Sequence, residues 1–534
     1  MEENSLDWLA DLAPPQRRDG AAKAAPETNL TGTNPVITVA GGTRHISAEE
    51  GIAALVAAKT PFYQRDRRIQ RVAIVAAKDS DGHDLSVPGI VTVDQAMLGR
   101  ELGCVATWRR FDLRTKKHVR IDPPGAVCTQ ILAMVGEWPF SPLPGIIQCP
   151  TLRRDGSLLD QEGYDEATGL MLVDPIQVPP IPRQPTKIDA DAALGVLLGV
   201  LHEFPFVDAD SKAVALSMIL TTVCRGAFSV APMHLVSAPL AGSGKSFLAD
   251  CASTIATGEV CPVKAQAPSY EETEKRLVGS ALVGHPIIAV DNCRSLIEGD
   301  FFYQIVERPL LSLRALGKSD PHQIPNTFTI FSNGNNAAVA EDMVRRTVRC
   351  ALDANMEHPE DRQFKSNPLD KIRRDRGKYV AAALTIPLAY IGAGRPDAKR
   401  PLLPSFQGWC SVVRDPLVWL GCGDPVATQA ILRIADPHKA ELAEVFGVWK
   451  SEIGLGHARA SVTAELIDFA ETRAPKLRDV FMKIAVKRFD QKIDPVLLGK
   501  WLLKHEGNIA AGCKLLVDRD TNKLRPRWYL TLVT

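Results

Sequence analysis

The sequence predicts an α/β protein: a core with a parallel sheet, preceded by an α+β N-terminal domain and followed by a helical region and a small terminal domain. Three observations carry that class. Apolar runs at 235–238, 286–290 and 327–331 have the length of buried strands and are too short to be helices. Patterns of helical period begin at Phe247 and again behind Glu271-Glu272-Thr273-Glu274-Lys275-Arg276, so strands alternate with helices, as the crossovers of a parallel sheet demand. The first run also passes at once into Pro239-Leu240-Ala241-Gly242-Ser243-Gly244-Lys245-Ser246, a glycine loop set between a strand and a helix.

At 534 residues the chain is too long for one ordinary core, and about 150 residues per domain implies about three or four domains. Apolar content of 45% and charged content of 23% are globular values. A net charge of +1 supplies no global field for polyanions, so any nucleic-acid surface must be local. The 11 cysteines include no Cys-x-x-Cys pair, and no histidines stand at zinc spacing, which argues against a disulfide framework or a zinc site. The start, MEENSLDWLADLAPP, lacks a basic region followed by an apolar one, and no run of about 18 apolar residues occurs. The reading is a cytoplasmic protein with reduced thiols and no membrane segment.

Residues 1–35 have the composition of a disordered tail, in which Leu6, Trp8, Leu9 and Leu12 are either a short docking helix or incidental. An α+β domain follows over 36–183, with strands expected at 36–39 and 72–75 and helices at 48–58 and 94–102. Its segments 151–157 and 163–170 contain Asp155-Gly156 and Thr168-Gly169, which read as turn chemistry. Asp79-Ser80-Asp81 sits in a polar tract just past a strand and reads as a turn in preference to a metal site. The proline-rich stretch 178–185 closes the domain, and helical patterns at 189–201 and 210–224 lead into the core.

The chemistry is concentrated in four places. In the glycine loop Pro239 holds the position where the usual spacing has glycine. Ala241, Gly242, Ser243 and Gly244 let backbone N–H groups turn inward on phosphates, Lys245 adds a cation, and the Ser246 hydroxyl is placed to ligate Mg²⁺. The run 286–290 ends in Asp291, a carboxylate at the carboxyl end of a strand beside that loop, suited to the metal's water shell. Next stands Asn292, which orients water without accepting its proton. Either hydrolysis is slow, or Asp291, Glu271 or Glu272 acts as base. The run 327–331 leads to Ser332-Asn333-Gly334-Asn335-Asn336, and a helix is expected over 337–346, ending in Arg345-Arg346.

Glycine loop, strand-Asp and strand-Asn, each about 40 to 50 residues apart, form an order more specific than any one motif. On these residues the chain resembles the AAA+ P-loop ATPases, and within them the superfamily 3 helicases and the helicase halves of phage and mobile-element primase-helicases. The resemblance covers about 188–352 well and the helical and winged-helix tail more loosely. It implies that Asn333 is the sensor of the γ-phosphate or its attacking water. It implies too that Arg345 or Arg346 is an arginine finger delivered to a neighbouring subunit, a task suited to guanidinium. The interval 313–322 corresponds to a hairpin that grips DNA in a ring channel, with Arg314, Lys318 and His322 as its cations, or else to a solvated tip.

The sequence therefore divides into the tail, the domain at 36–183, an ATPase domain at 184–360, a helical lid at 361–458 and a winged helix at 459–534. Trp409, Trp419 and Trp449 are expected in the core of the helical region. Three helices and a two-stranded wing mark the last segment, where Lys500, Lys504, Arg519, Lys523, Arg525 and Arg527 suit duplex phosphates; winged helices also dock proteins. The implied function is a Mg²⁺- and ATP-dependent DNA helicase or translocase of phage, plasmid or island replication, working as a homo-oligomeric ring, a hexamer by the resemblance. The alternatives are a replication initiator or helicase loader switched by ATP binding, and an ATP-driven protein scaffold in phage defence.

Overall fold

The computed structural model describes residues 34–78, 84–294, 296–314, 321–396, 401, 403–487, 492–519 and 525–533. The chain divides into two compact units, one of residues 1–60 and 95–133, the other of 61–94 and 134–534.

The first unit is a three-stranded sheet with helices on one face. Strand β1 (Val36–Val39) leads to helix α1 (Arg44–Ala57), and helix α2 (Gln95–Val105) to strands β2 (Thr107–Asp112) and β3 (Lys117–Arg120) and helix α3 (Gly125–Ala133). β2 lies between the others, parallel to β1 and antiparallel to β3. The period of two along each strand sends Ile37 and Trp108 to one face, where both are buried with Leu55, Leu98, Leu102 and Ile131 of the helices. Gly51 lets α1 approach closely: a Cβ there would sit 3.2 Å from Leu102 and 3.5 Å from the Trp108 ring.

In the second unit the long antiparallel hairpin of Arg68–Lys78 and Asp84–Thr92 belongs to a four-stranded sheet with Tyr63–Arg65 and Ser141–Pro142. Asp79, Ser80 and Asp81 lie outside the described residues. The turn reading of 151–170 is what the side chains form. Asp155 accepts from the Ser157 backbone, and Asp165 accepts from the N–H and hydroxyl of Thr168 while pairing with Arg153 at 2.8 Å.

The core of this unit is a five-stranded, all-parallel sheet. Helix α4 (Lys187–Leu201), with its Thr186/Asp189 capping box, and helix α5 (Ala209–Val223), capped by Asp208, precede it. Then come β4 (Met233–Ala238), α6 (Lys245–Thr257), β5 (Val263–Ala265), α7 (Tyr270–Val283), β6 (Ile287–Asp291), α8 (Asp300–Glu307), the antiparallel ribbon β7 (Leu310–Arg314) and β8 (Pro321–Pro325), β9 (Thr329–Asn335) and β10 (Thr347–Ala351). The sheet order is β5-β6-β9-β4-β10. β9 is thus inserted between β4 and β6, which brings the carboxyl ends of the three strands named by the sequence side by side.

Two expectations are corrected here. The third strand is displaced towards its carboxyl end, spanning Thr329–Asn335, so that Asn333 lies within it. The helix expected over 337–346 is instead extended chain ending in a 3-10 turn, Glu341–Arg346. Its backbone is used laterally: the Ile297 N–H donates to Ala338, the Ala340 N–H to Ile297, and Val339 bridges Ile297, which leaves those groups unavailable to a helix.

Helix α9 (Pro368–Arg374) and helix α10 (Arg376–Gly392) pack on α6 and α4. The Arg376 guanidinium donates to the Ile255 and Ala256 carbonyls, placing a cation at the carboxyl end of α6. Trp409 is fully buried in this core, whereas Trp419 is only partly buried. Trp449 belongs to a second apolar cluster formed by helices α11 (Pro437–Glu452), α12 (Thr463–Arg473), α13 (Pro475–Ile484) and α14 (Pro495–Lys504) with an antiparallel sheet of β11 (Ile509–Ala510), β12 (Cys513–Asp518) and β13 (Arg527–Leu532).

His234, inside β4, is fully buried among Phe331 and Trp409, with its Nε2 at 3.0 Å from the Ser217 hydroxyl. Burial lowers its pKa to about 3 from an ordinary 6.5. The unfolded chain therefore takes up this proton first, and stability falls as pH drops from about 6.5 towards 3, by up to about 1.4 kcal/mol per pH unit from this residue alone. Melting temperatures measured across that window are expected to fall less steeply in His234→Gln than in the parent chain.

Candidate nucleotide site

The 239–246 loop leaves β4 at Ala238, whose carbonyl accepts from the Asn336 N–H at 3.0 Å. Gly242 (φ +73°) and Gly244 (φ +92°) take left-handed backbone, and a Cβ on Gly242 would meet the Glu360 backbone N at 2.9 Å. Gly244 is the N-cap of α6 and supplies no side-chain cap, so the first N–H groups of this 13-residue helix face outward with the positive end of its dipole. The Lys245 ammonium donates to the Leu240 carbonyl at 2.8 Å, and the Ser243 hydroxyl to the same oxygen at 2.9 Å. Burial lowers the Lys245 pKa and nearby Asp291 opposes the shift.

Three other predicted residues converge on this helix end. The Ser246 hydroxyl lies 3.4 Å from Asp291 Oδ1, and Asn333 Nδ2 lies 3.5 Å from the same hydroxyl. The Asn292 N–H, at φ +54°, donates to Asp291 Oδ1 at 2.8 Å and to Asn333 Oδ1 at 3.3 Å. Asparagine tolerates that left-handed backbone far better than a branched residue does. Asp291 is thereby oriented by the Asn292 backbone N–H and by the Ser246 hydroxyl. Glu272 is half-buried and paired on its own helix, 3.5 Å from Arg276 and 3.9 Å from Lys275.

Gly334 permits the closeness of these strands. The Cys293 N–H donates to the Asn333 carbonyl at 2.8 Å, and a Cβ on Gly334 would lie 2.3 Å from the Cys293 carbonyl oxygen. Gly334→Ala is expected to force β9 and the 292–294 turn apart, lowering stability by about 1–3 kcal/mol. Nucleotide affinity, read by titration of a fluorescent ATP analogue, falls with it.

Sequence reasoning missed the cavity beside this loop. It measures about 460 Å³ and is lined by Gly242–Gly244 and by His202, Phe204, Phe247, Arg362, Phe364 and Lys371. Phe204 packs on Phe247 with ring centroids 6.4 Å apart, and the Arg362 guanidinium lies over the Phe364 ring at 5.0 Å. Aromatic walls with cations suit a flat heteroaromatic ring joined to an anion. The only signals in the sequence were scattered Phe residues on both sides of the loop.

The arginine pair is not free. Arg346 is 5% exposed and bonds the Glu307 carboxylate through Nε at 2.7 Å and through Nη2, and Asp342 at 2.8 Å; its guanidinium also covers the Tyr303 ring at 5.2 Å. Arg345 pairs with Asp342 at 3.0 Å and Glu307 at 3.2 Å, with 43% of its side chain exposed.

The ribbon expected over 313–322 is formed by β7 and β8, with Arg314 exposed at its end; Lys318 lies outside the described residues. His322 is corrected. It is 8% exposed and its Nδ1 bonds Asp66, whose other oxygen accepts from the Gln323 N–H at 2.9 Å, so it ties the ribbon down near its turn-side end, one pair from Arg314 and Pro321, and is not presented at the surface.

In the terminal segment Lys500 and Arg525 are exposed. Arg519 pairs with Glu506, and Arg527 donates to the Ala460 carbonyl. Lys504 lines a cavity of about 490 Å³ with residues of α7, α8 and His438, and Trp501 donates to Glu441 of α11 at 3.1 Å. Lys523 lies outside the described residues. Among the described residues no group of three or more His, Cys, Asp or Glu is placed to hold a metal, and no helix is long and apolar enough to cross a membrane.

No family model matches the sequence, and no curated protein matches it. Solved structures with some likeness include two A-form apo structures of the NrS-1 C-terminal region, each 11% identical. One has a TM-score of 0.33 and covers 83% of this chain and 100% of that chain; the other has 0.31, with 86% and 96%. A crystal structure of JCV helicase bound to a thiazolopyridine acetamide is 12% identical, with a TM-score of 0.19, covering 50% of this chain and 72% of that one. Likeness this loose assigns nothing to this chain.

Proposed function

We propose that the chain is an ATP-dependent DNA translocase of the AAA+ type, acting as an oligomeric ring, in the replication setting that its resemblance to phage and mobile-element helicases implies. The observation that supports this best is the convergence of Lys245, Ser246, Asp291 and Asn333 where the carboxyl ends of three adjacent parallel strands meet the amino end of α6. Backbone N–H groups of 242–246 and the Lys245 ammonium bind the phosphates, and the neighbouring cavity takes the base. The Ser246 hydroxyl and Asp291 carboxylate, 3.4 Å apart, fit two adjacent positions around Mg²⁺, a cation that keeps waters and takes few protein ligands. Mg²⁺ held by these two residues would supply charge neutralisation at the phosphate oxygens. Asn333 and Asn292 orient the attacking water. Arg345, the more exposed of the pair, is the better candidate to complete a neighbour's site. The ribbon, with Arg314 and Lys318, contacts DNA backbone in the ring.

The domain scheme 36–183, 184–360, 361–458 and 459–534 is carried over with this reading, the last as a winged helix. A second reading, an initiator or loader switched by ATP binding, is favoured by α14, which turns Trp501 and Lys504 towards protein. Strand displacement on a forked duplex separates the two. A translocase unwinds it with ATP, and single-stranded DNA raises its ATPase rate. An initiator binds duplex and changes mass in ATP without unwinding. If no DNA affects turnover at low salt, both readings fail.

A further inference from the structure

The first unit turns only one face of its sheet to its helices. Pairing of Thr38 with Arg109, Arg109 with Arg120 and Phe111 with His118 puts these side chains together on the opposite face, where the Arg109 Nε donates to the Thr38 hydroxyl at 2.9 Å. Phe111 is 49% exposed and packs edge-on against the exposed His118 ring, with centroids 5.4 Å apart. The connecting turn adds exposed Arg114 and Lys116. The one acid between 107 and 120, Asp112, is spent on the turn itself, accepting from the Arg114 N–H and the Thr115 hydroxyl. Two exposed rings on a sheet, flanked by arginines in a segment whose one acid is engaged by its own turn, match the two needs of an unpaired strand: π-faces for splayed bases and cations for phosphates.

We propose that this open face of β1, β2 and β3 binds single-stranded nucleic acid, with bases stacking on Phe111 and His118 and phosphates meeting Arg109, Arg120 and the turn cations. The surface belongs to the first unit and the nucleotide site to the second, so the proposal stands whether or not the chain hydrolyses ATP.

The test uses the full chain without nucleotide and fluorescein-labelled oligo-dT and oligo-rU of about 20 nucleotides, with a duplex of equal length as comparison. Stacking predicts that Phe111→Ala weakens both single strands by about tenfold, that Phe111→Trp restores them, and that duplex binding is unchanged. Arg120→Ala is expected to reduce the slope of log affinity against log salt by about 1. Oligonucleotides bearing 5-iodouracil should crosslink within 107–120, in the Lys245→Ala variant as in the parent. If Phe111→Ala binds single strands normally and crosslinks fall elsewhere, the proposal is overturned. Equal loss of duplex and single strands overturns the stacking. So does competition by poly-glutamate without crosslinking in 107–120, which would make the face a protein-docking surface.

Discussion

Lys245→Ala is expected to lower ATP turnover by at least about 100-fold, the scale set by losing one well-placed cationic donor to developing phosphate charge. It should also abolish binding of a fluorescent ATP analogue. The fold should survive, because the ammonium's hydrogen bond is to one surface-loop carbonyl, Leu240, and α6 keeps its buried face. Circular dichroism and an unchanged melting temperature without nucleotide would establish that. Retained hydrolysis in this variant would refute the site, whatever the oligomer or the DNA dependence.

Arg346→Ala is expected to act differently from Arg345→Ala, though the two are neighbours. Removing the Arg346 guanidinium takes from the Glu307 carboxylate, which desolvation penalises, its most buried partner and leaves Ser405 and the half-exposed Arg345 to compensate. With Arg346 5% exposed, the loss approaches that of breaking a buried pair, about 3 kcal/mol, and appears as a lower melting temperature and denaturation midpoint. Arg345→Ala leaves Glu307 its better partner, so stability changes by less than about 1 kcal/mol. If Arg345 reaches a neighbour's phosphates, turnover in the assembled oligomer falls while ATP binding persists. A large stability loss in Arg345→Ala with none in Arg346→Ala would reverse this assignment.

The parallel sheet was legible because its strands are short apolar runs that end in chemistry. Leu235, Ile288 and Phe331 each announce a buried strand, and Asp291 marks where one stops. The shift of β9 was not legible: Ser332, Asn333 and Gly334 have poor strand propensity, and pairing with β4 on one side and with the end of β6 and the Cys293 turn on the other holds them extended. The lost helix at 337–346 has the same origin, since Ala337–Ala340 favours a helix locally but is claimed by Ile297. Burial of Arg346 and His322 depended on partners far away in sequence, Glu307 and Asp66, which no local pattern reveals. The basic ribbon at 107–120 was overlooked because its meaning lies in which side chains share a face, and that required the register.

Only Asn326, Thr327 and Phe328 separate the β7–β8 ribbon from β9, and this junction is clamped. The buried Arg225 guanidinium grips the carbonyls of Asn326 and Phe328, and the Asn326 amide holds those of Ile305 and Arg308. From there β9 runs, flanked by strands on both sides, to Asn333 beside Ser246. Ribbon and Asn333, the residue proposed to orient water, are thus two ends of one short push-rod: load applied to the ribbon is either borne at the Arg225 clamp or passed along β9 to Asn333.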